Sequence, residues 1–314
     1  MDYLKNDLVA IKDNGFKDVD SIVCALLTTL KYNIANNTSI KDLYNDHNED
    51  YFIKLLASNN RYKNMIIKDY IKDHSNDIQF GVVKVQIDDF NIIAFQGTDG
   101  TIMSWEENFK IGYEYPTKTQ VLAIDYLNKN LDSDTIIIGH SKGGNLALVA
   151  SLECKKKRYI KKIYNLDGPG FDNERYVKAD KMKKKIITYL PVNSFVGALL
   201  KNYNVECIKS NGIGFAEHNV ANWNIEDYNL VRDELSENSI KANKMSCYAL
   251  DNFNKDDAKK IVELFFGILR ENNIKTKKDY GNIDVSAIFA ELENLDIDVN
   301  VKKYYISMFK VMLS

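Results

Sequence analysis

"IIIGHSKGGNLAL", residues Ile136–Leu148, is the stretch on which the fold turns. Three β-branched residues run into Gly139-His140-Ser141-Lys142-Gly143, a G-x-S-x-G pattern, and a helix-compatible run from Asn145 to Ala150 follows. A strand entering a sharp turn that opens a helix is the context in which this pattern makes a nucleophile elbow. The turn is strained, so its neighbours must be small, and Gly139, Gly143 and Gly144 supply the room. A serine there projects clear of the sheet, while the helix behind it aims backbone N–H groups at any anion that forms. The competing reading is a tight strand-to-helix corner without chemistry; the flanking strand and helix favour the nucleophile. A phosphate-binding Walker loop is excluded because no Gly-Lys-Ser/Thr is present.

A serine hydroxyl needs a base, and the chain has four histidines. His140 lies inside the elbow and is expected to point away from the serine oxygen. His47 and His74 fall in polar stretches read as loops ahead of the sheet. His218, in "GFAEHNVANW", follows the last strand-like run, where the order serine, acid, histidine puts the base. The acid must lie on a loop at the carboxyl edge of the sheet between those two. Asp167 in "IYNLDGPGF" is preferred, with Asp172 nearby and Asp227 further off as alternatives, and with turn capping as the plain reading of its carboxylate. Two donors are needed for a tetrahedral oxyanion. The backbone N–H of Lys142 is one candidate; Thr98, in the Gly-Thr turn ending "IIAFQGTDGT", is the other.

Around these residues the period of the sequence alternates. "DSIVCALLTTLKY" reads as a helix, and Tyr51–Leu56 and Met65–Ile71 as short helices. "FGVVKVQID" and "FNIIAFQG" read as an antiparallel hairpin turning at Asp88-Asp89. Helix, strand, helix and two further strands follow, then the apolar segment "SFVGALL" and the strand "NVECIKS". Strands alternating with helical stretches predict a mostly parallel sheet with helices on both faces. Beyond about residue 235 the chain reads as helical. The expected layout is an N-terminal helical segment 1–75, a core 76–235 and a C-terminal helical extension 236–314. The polar run Asp99–Thr117 reads equally as a lid or a plain connection.

At this point the residues resemble a known family. "IAFQGT", a following Trp105 and "GHSKGGNLA" are similar to the oxyanion loop and elbow of class three lipases among the α/β-hydrolases. The closer resemblance is to a bacterial group called Mbeg1-like, carried by Lys142 after the serine, the "DGPGF" turn Asp167–Phe171, the segment Ser194–Leu200, and His218 near Trp223. It spans about Phe80 to Leu230 and implies an α/β-hydrolase fold and hydrolase activity. Two departures stand out. Gln96 replaces the usual arginine before the oxyanion Gly-Thr, and Asn193 occupies the place where class three lipases put their acid. The second directs the choice of acid to Asp167, a position similar to that of pancreatic-type lipases.

Composition narrows the classes. Hydrophobic residues are 45% and charged residues 27% of 314, with net charge −2, so a folded core is expected and no global field recruits nucleic acid or an anionic membrane. The basic runs Lys155–Arg158 and Lys181–Lys185 read as solvated faces. No run of about 18 apolar residues suits a membrane span. The first sixteen residues do not read as a secretory signal. Four scattered cysteines suit reduced thiols in a cytosol, and the bias toward Lys, Asn and Ile with three Pro suits an AT-rich bacterial source. "YNDHNEDYF" lacks the register of a calcium loop, and no His/Cys cluster suits zinc; no cofactor is expected. Trp105 and Trp223 are candidates for an acyl pocket, with plain packing of buried aromatics as the commoner reading. The sequence reading is therefore a cytoplasmic serine hydrolase acting on a small-molecule or lipid carboxylic ester through an acyl-enzyme. The alternatives are a thioesterase or acyltransferase with the same residues, or a non-catalytic relative docking through its C-terminal helices.

Overall fold

The computed structural model describes residues 15–75, 78–282 and 284–313. Most of the first sixteen residues, and with them the absence of a signal read there, lie outside the described residues. In chain order come α1 (Asp18–Leu27), β1 (Thr38–Ser39), α2 (Ile40–Asp46), α3 (Tyr51–Ser58), β2 (Ile66–Ser75), β3 (Ile78–Ile87) and β4 (Phe90–Phe95). Then follow α4 (Ile102–Lys110), α5 (Lys118–Asn130), β5 (Thr135–His140), α6 (Lys142–Glu153), β6 (Ile160–Leu166), α7 (Asn173–Ala179), β7 (Ile186–Pro191) and β8 (Val205–Ile208). The ribbon β9 (Ile225–Glu226) and β10 (Asn229–Leu230) precedes α8 (Glu237–Asn252), α9 (Lys255–Glu271), α10 (Val285–Glu293) and α11 (Val299–Leu313).

The eight strands β1 to β8 lie side by side in chain order. β1 to β4 pair antiparallel and β4 to β8 parallel, the mostly parallel sheet of an α/β-hydrolase fold. Side chains alternate across it as a period of two requires. Ile136 and Ile138 join the core under α1 and α3, while Ile137 joins the core under α5 and α6. Helix α6 lies against β4, β5 and β6 and is buried from Lys142 to Leu152, which accounts for its apolar and small-residue composition.

The hairpin of β3 and β4 turns at Asp88, whose φ of 48° is left-handed, a conformation aspartate tolerates. Of Met65–Ile71, expected as a helix, all but Met65 instead form the start of β2, and His74, expected in a loop, lies on the same strand. Ile66, Ile67, Tyr70 and Ile71 fit both periods over so short a run. What decides is the edge of β3, which pairs with β2 along its length and satisfies its backbone.

A third core joins α4 to the C-terminal helices, with Ile102 and Phe109 against Phe265, Phe266 and Phe309. α8 holds the segment after β7: Ser239 Oγ donates to the Val192 carbonyl, Asn243 Nδ2 to those of Ala198 and Leu200, and Ser246 Oγ accepts from Leu200 N. The helices beyond residue 235 thus brace the loops at the carboxyl edge of the sheet. At the other end, Asp20 is fully buried and accepts from Arg61 Nε at 2.6 Å and Tyr62 OH at 2.8 Å, tying α1 to the turn before β2. Replacing Arg61 by Met leaves the Asp20 carboxylate without its cation, and a loss of about 3–5 kcal/mol is expected. Urea unfolding of Arg61→Met measures it; a loss under 1 kcal/mol contradicts the assignment.

Candidate active site

Ser141 sits between β5 and α6 with φ 57° and ψ −129°, a region that costs a non-glycine residue about 1–3 kcal/mol. The turn closes only because its neighbours lack side chains. A Cβ on Gly139 would come within 1.9 Å of the Gly143 carbonyl oxygen, and one on Gly143 within 2.2 Å of the Phe95 carbonyl oxygen. The strain is held by Ser141 N donating to the Leu166 carbonyl and by its own carbonyl accepting from Gly144 N.

Asp167 ends the next strand, also left-handed at φ 48°, and is 1% exposed. Its Oδ1 accepts from Ser194 Oγ at 2.5 Å and from Gly197 N at 3.0 Å. Its Oδ2 lies 2.6 Å from His218 Nδ1. A carboxylate partner at Nδ1 puts the ring proton there and leaves Nε2 free of one, able to accept a proton. Three bonds at one buried carboxyl group satisfy what burial would otherwise penalise. The hydrogen bonds of the described residues include none between Ser141 Oγ and His218. The two are linked instead through His140, whose Nε2 donates to the His218 carbonyl at 2.8 Å. Bonds of this type often tighten only around substrate.

Thr98 follows β4, and Asn108 Nδ2 of α4 donates to its hydroxyl at 2.8 Å. With its oxygen accepting that bond, the Thr98 proton is left to donate elsewhere. Lys142 is the first residue of α6, where the backbone N–H has no preceding turn to bond. The buried Lys142 ammonium turns away, donating to the Gln79 carbonyl and Oε1 at 2.9 and 2.6 Å and to Ser104 Oγ at 3.3 Å, with Glu107 at 3.7 Å. Burial pushes its pKa below the usual lysine value, against the pull of Glu107. Gln79 Nε2 in turn donates to the Gly97 carbonyl, so the loop bearing Thr98 is tied to the residue after Ser141.

Residues 56–267, more than half of the chain, match the Mbeg1-like family. The chain belongs to the Mbeg1-like family. No curated protein matches it. Among solved structures, a variant of MDLA from Penicillium cyclopium is similar at 12% identity and a TM-score of 0.44, over 71% of this chain and 86% of that one. A triacylglycerol lipase from Penicillium expansum is similar at 14% identity and 0.33, over 60% and 79%. A lipase from Rhizopus microsporus var. chinensis is similar at 12% and 0.36, over 76% and 88%.

In this Mbeg1-like chain the other candidates have other partners. Asp172 caps α7 and pairs with Arg175 at 2.9 Å. Asp227 sits in the turn between β9 and β10. His47 stacks on Tyr32, and His74 lies 3.4 Å from Asp99. Asn193 donates through its N–H and its Nδ2 to the carboxylate of Glu217, the residue before His218. The segment after β7 therefore supplies a clamp for the histidine loop and, through Ser194 and Gly197, a brace for Asp167. Trp223 is buried and donates to the Glu217 carbonyl, a packing role, whereas Trp105 lines a cavity. The "SFVG" segment signalled the braces, but their target was legible only in three dimensions.

His140, expected only to point away from the serine, instead holds the backbone carbonyl of His218. Burial, and then the neighbouring His218, push its pKa down to about 3, whereas in the unfolded chain it titrates near 6.5. The folded state thus holds it neutral where the unfolded state takes a proton. This contribution to stability is complete above about pH 6.5 and is lost as pH falls from there toward the folded value. Urea unfolding at pH 7 and pH 5 is expected to show the wild type losing about 2 kcal/mol more than His140→Gln; equal losses contradict a neutral His140 in the folded state.

Proposed function

We propose that the protein is a serine hydrolase of lipase-like type that cleaves a carboxylic ester through an acyl-enzyme. The observation that carries this reading is the bond from His218 Nδ1 to the braced Asp167 carboxyl group, at the sheet edge where Ser141 occupies a strained elbow. In the proposed reaction Ser141 Oγ attacks the ester carbonyl carbon as His218 Nε2 accepts its proton. Asp167 keeps the ring in the tautomer that can do so and stabilises the imidazolium. The negative oxygen of the tetrahedral intermediate meets the Lys142 N–H and the Thr98 hydroxyl. Collapse breaks the bond to the alcohol, which leaves with the proton from His218. Water, deprotonated by His218, then releases the acid and restores the serine.

A fluorophosphonate probe is expected to label Ser141, located by peptide mass spectrometry, and neither Ser141→Ala nor His218→Ala is expected to be labelled. Asp167→Asn should lower ester turnover by about 10³–10⁴-fold. A folded wild type that takes no label refutes the reading.

A further inference from the structure

We infer that the helix α11 forms the far wall of an acyl pocket, restricting this enzyme to esters of short acyl chains; the inference rests on the ester-hydrolase reading above. A cavity opens among Trp105 of α4, Pro169, Phe195, Phe215, and Met308 and Met312 of α11. Apart from α11, each side lies next to a residue of the candidate site. Lys142 follows the proposed nucleophile, Pro169 lies two residues beyond Asp167, and Phe195 follows the Ser194 that braces it. Phe215 has its ring 5.4 Å from that of His218. Asn108, also in the lining, is the partner of Thr98.

The chemistry of this lining selects the acyl half of the substrate. Most of its polar atoms are engaged elsewhere, the Lys142 ammonium with Gln79 and Ser104 and Asn108 Nδ2 with Thr98, while Asn108 Oδ1 and Trp105 Nε1 are buried without a hydrogen-bond partner. What faces the cavity is indole, phenyl, pyrrolidine and thioether, a surface that takes a hydrocarbon tail. The alcohol half has a separate outlet. A wider cleft of about 610 Å³, lined by Lys31, Lys72, His74, Thr98, His140 and Asn219, adjoins the oxyanion loop and the elbow.

The size selects the chain length. The apolar cavity is about 40 Å³, about three times what one water-sized group needs, which suits a tail of roughly three or four carbons. Met308 and Met312 stand one helical turn apart, on one face of α11, with Met312 1% exposed and packed in the third core. That core fixes Met312, so a longer tail running along α11 meets a packed side chain there, although Val311 of the same lining is 36% exposed. Phe215, 48% exposed, marks the rim beside His218.

The test uses the full chain and p-nitrophenyl esters from acetate to dodecanoate, so that only the acyl group varies. For the wild type, kcat/KM is expected to rise about fourfold per methylene while the cavity fills, to peak near butyrate, and to fall at least tenfold by octanoate. Met308→Ala and Met312→Ala should each raise the octanoate-to-butyrate ratio at least tenfold. Leu199 also lines the cavity, and Leu199→Trp, filling it, should lower butyrate turnover while leaving acetate within threefold. The wild-type profile stands as a test even where a variant does not fold. A protein labelled at Ser141 whose turnover is flat or rising to dodecanoate, or whose folded methionine variants keep the wild-type ratio, overturns the inference and leaves the ester reading standing. A folded protein neither labelled nor active on any ester overturns both.

Discussion

The carboxyl group of Asp167 is the point on which the candidate site depends. It is buried at the end of β6, and its two oxygens are shared among Ser194 Oγ, Gly197 N and His218 Nδ1. A buried carboxyl group with fewer partners would be costly, so the segment after β7 must run close to it. That approach needs Gly197, where a Cβ would lie 2.4 Å from Asp167 Oδ1. It also needs α8, whose Asn243 and Ser246 hold the following turn. The histidine loop is fixed from three sides: by Asp167 at the ring, by His140 at the backbone, and by Asn193 through Glu217.

The elbow presents the complementary problem, a strained serine that must not relax. Backbone contact between β4, β5 and the start of α6 is too close for any side chain at Gly139 or Gly143, so packing of the sheet against α6 over-determines the turn. Lys142 extends this constraint. Its ammonium is desolvated, and three hydrogen-bond acceptors offset that cost. Through Gln79 it reaches the Gly97 carbonyl, which sets the Thr98 loop in register with the serine. A single side chain thus joins the elbow, the hairpin and α4.

Much of this was legible along the chain, for physical reasons that differ from element to element. Ile136–Ile138 followed by the glycines marks a strand bent into a helix, because only small residues survive the crowding there. The hairpin at Asp88-Asp89 and the helices α5, α6 and α9 follow from their hydrophobic periods. Asp167 and His218 were reachable by chain order, and their bond is present. Met65–Ile71 was not legible, since its apolar residues fit two periods and only the edge of β3 separates them. Asn193 read as a missing acid because sequence position alone does not say that its amide grips Glu217. His140 read as a bystander because its partner is a backbone carbonyl 78 residues away.

By itself, the sequence determined the class of architecture and the strand-turn-helix corner at Ser141, and it named candidate residues around that corner, because local sterics and side-chain chemistry act over a few residues. The tertiary structure decided which edge strand completes the sheet and which groups brace Asp167. It also decided that the Lys142 ammonium turns inward, and that Met308 and Met312 line one cavity with Lys142, Pro169 and Phe215. Those outcomes depend on contacts between segments far apart in the chain, whose closure rests on the packing of the whole core.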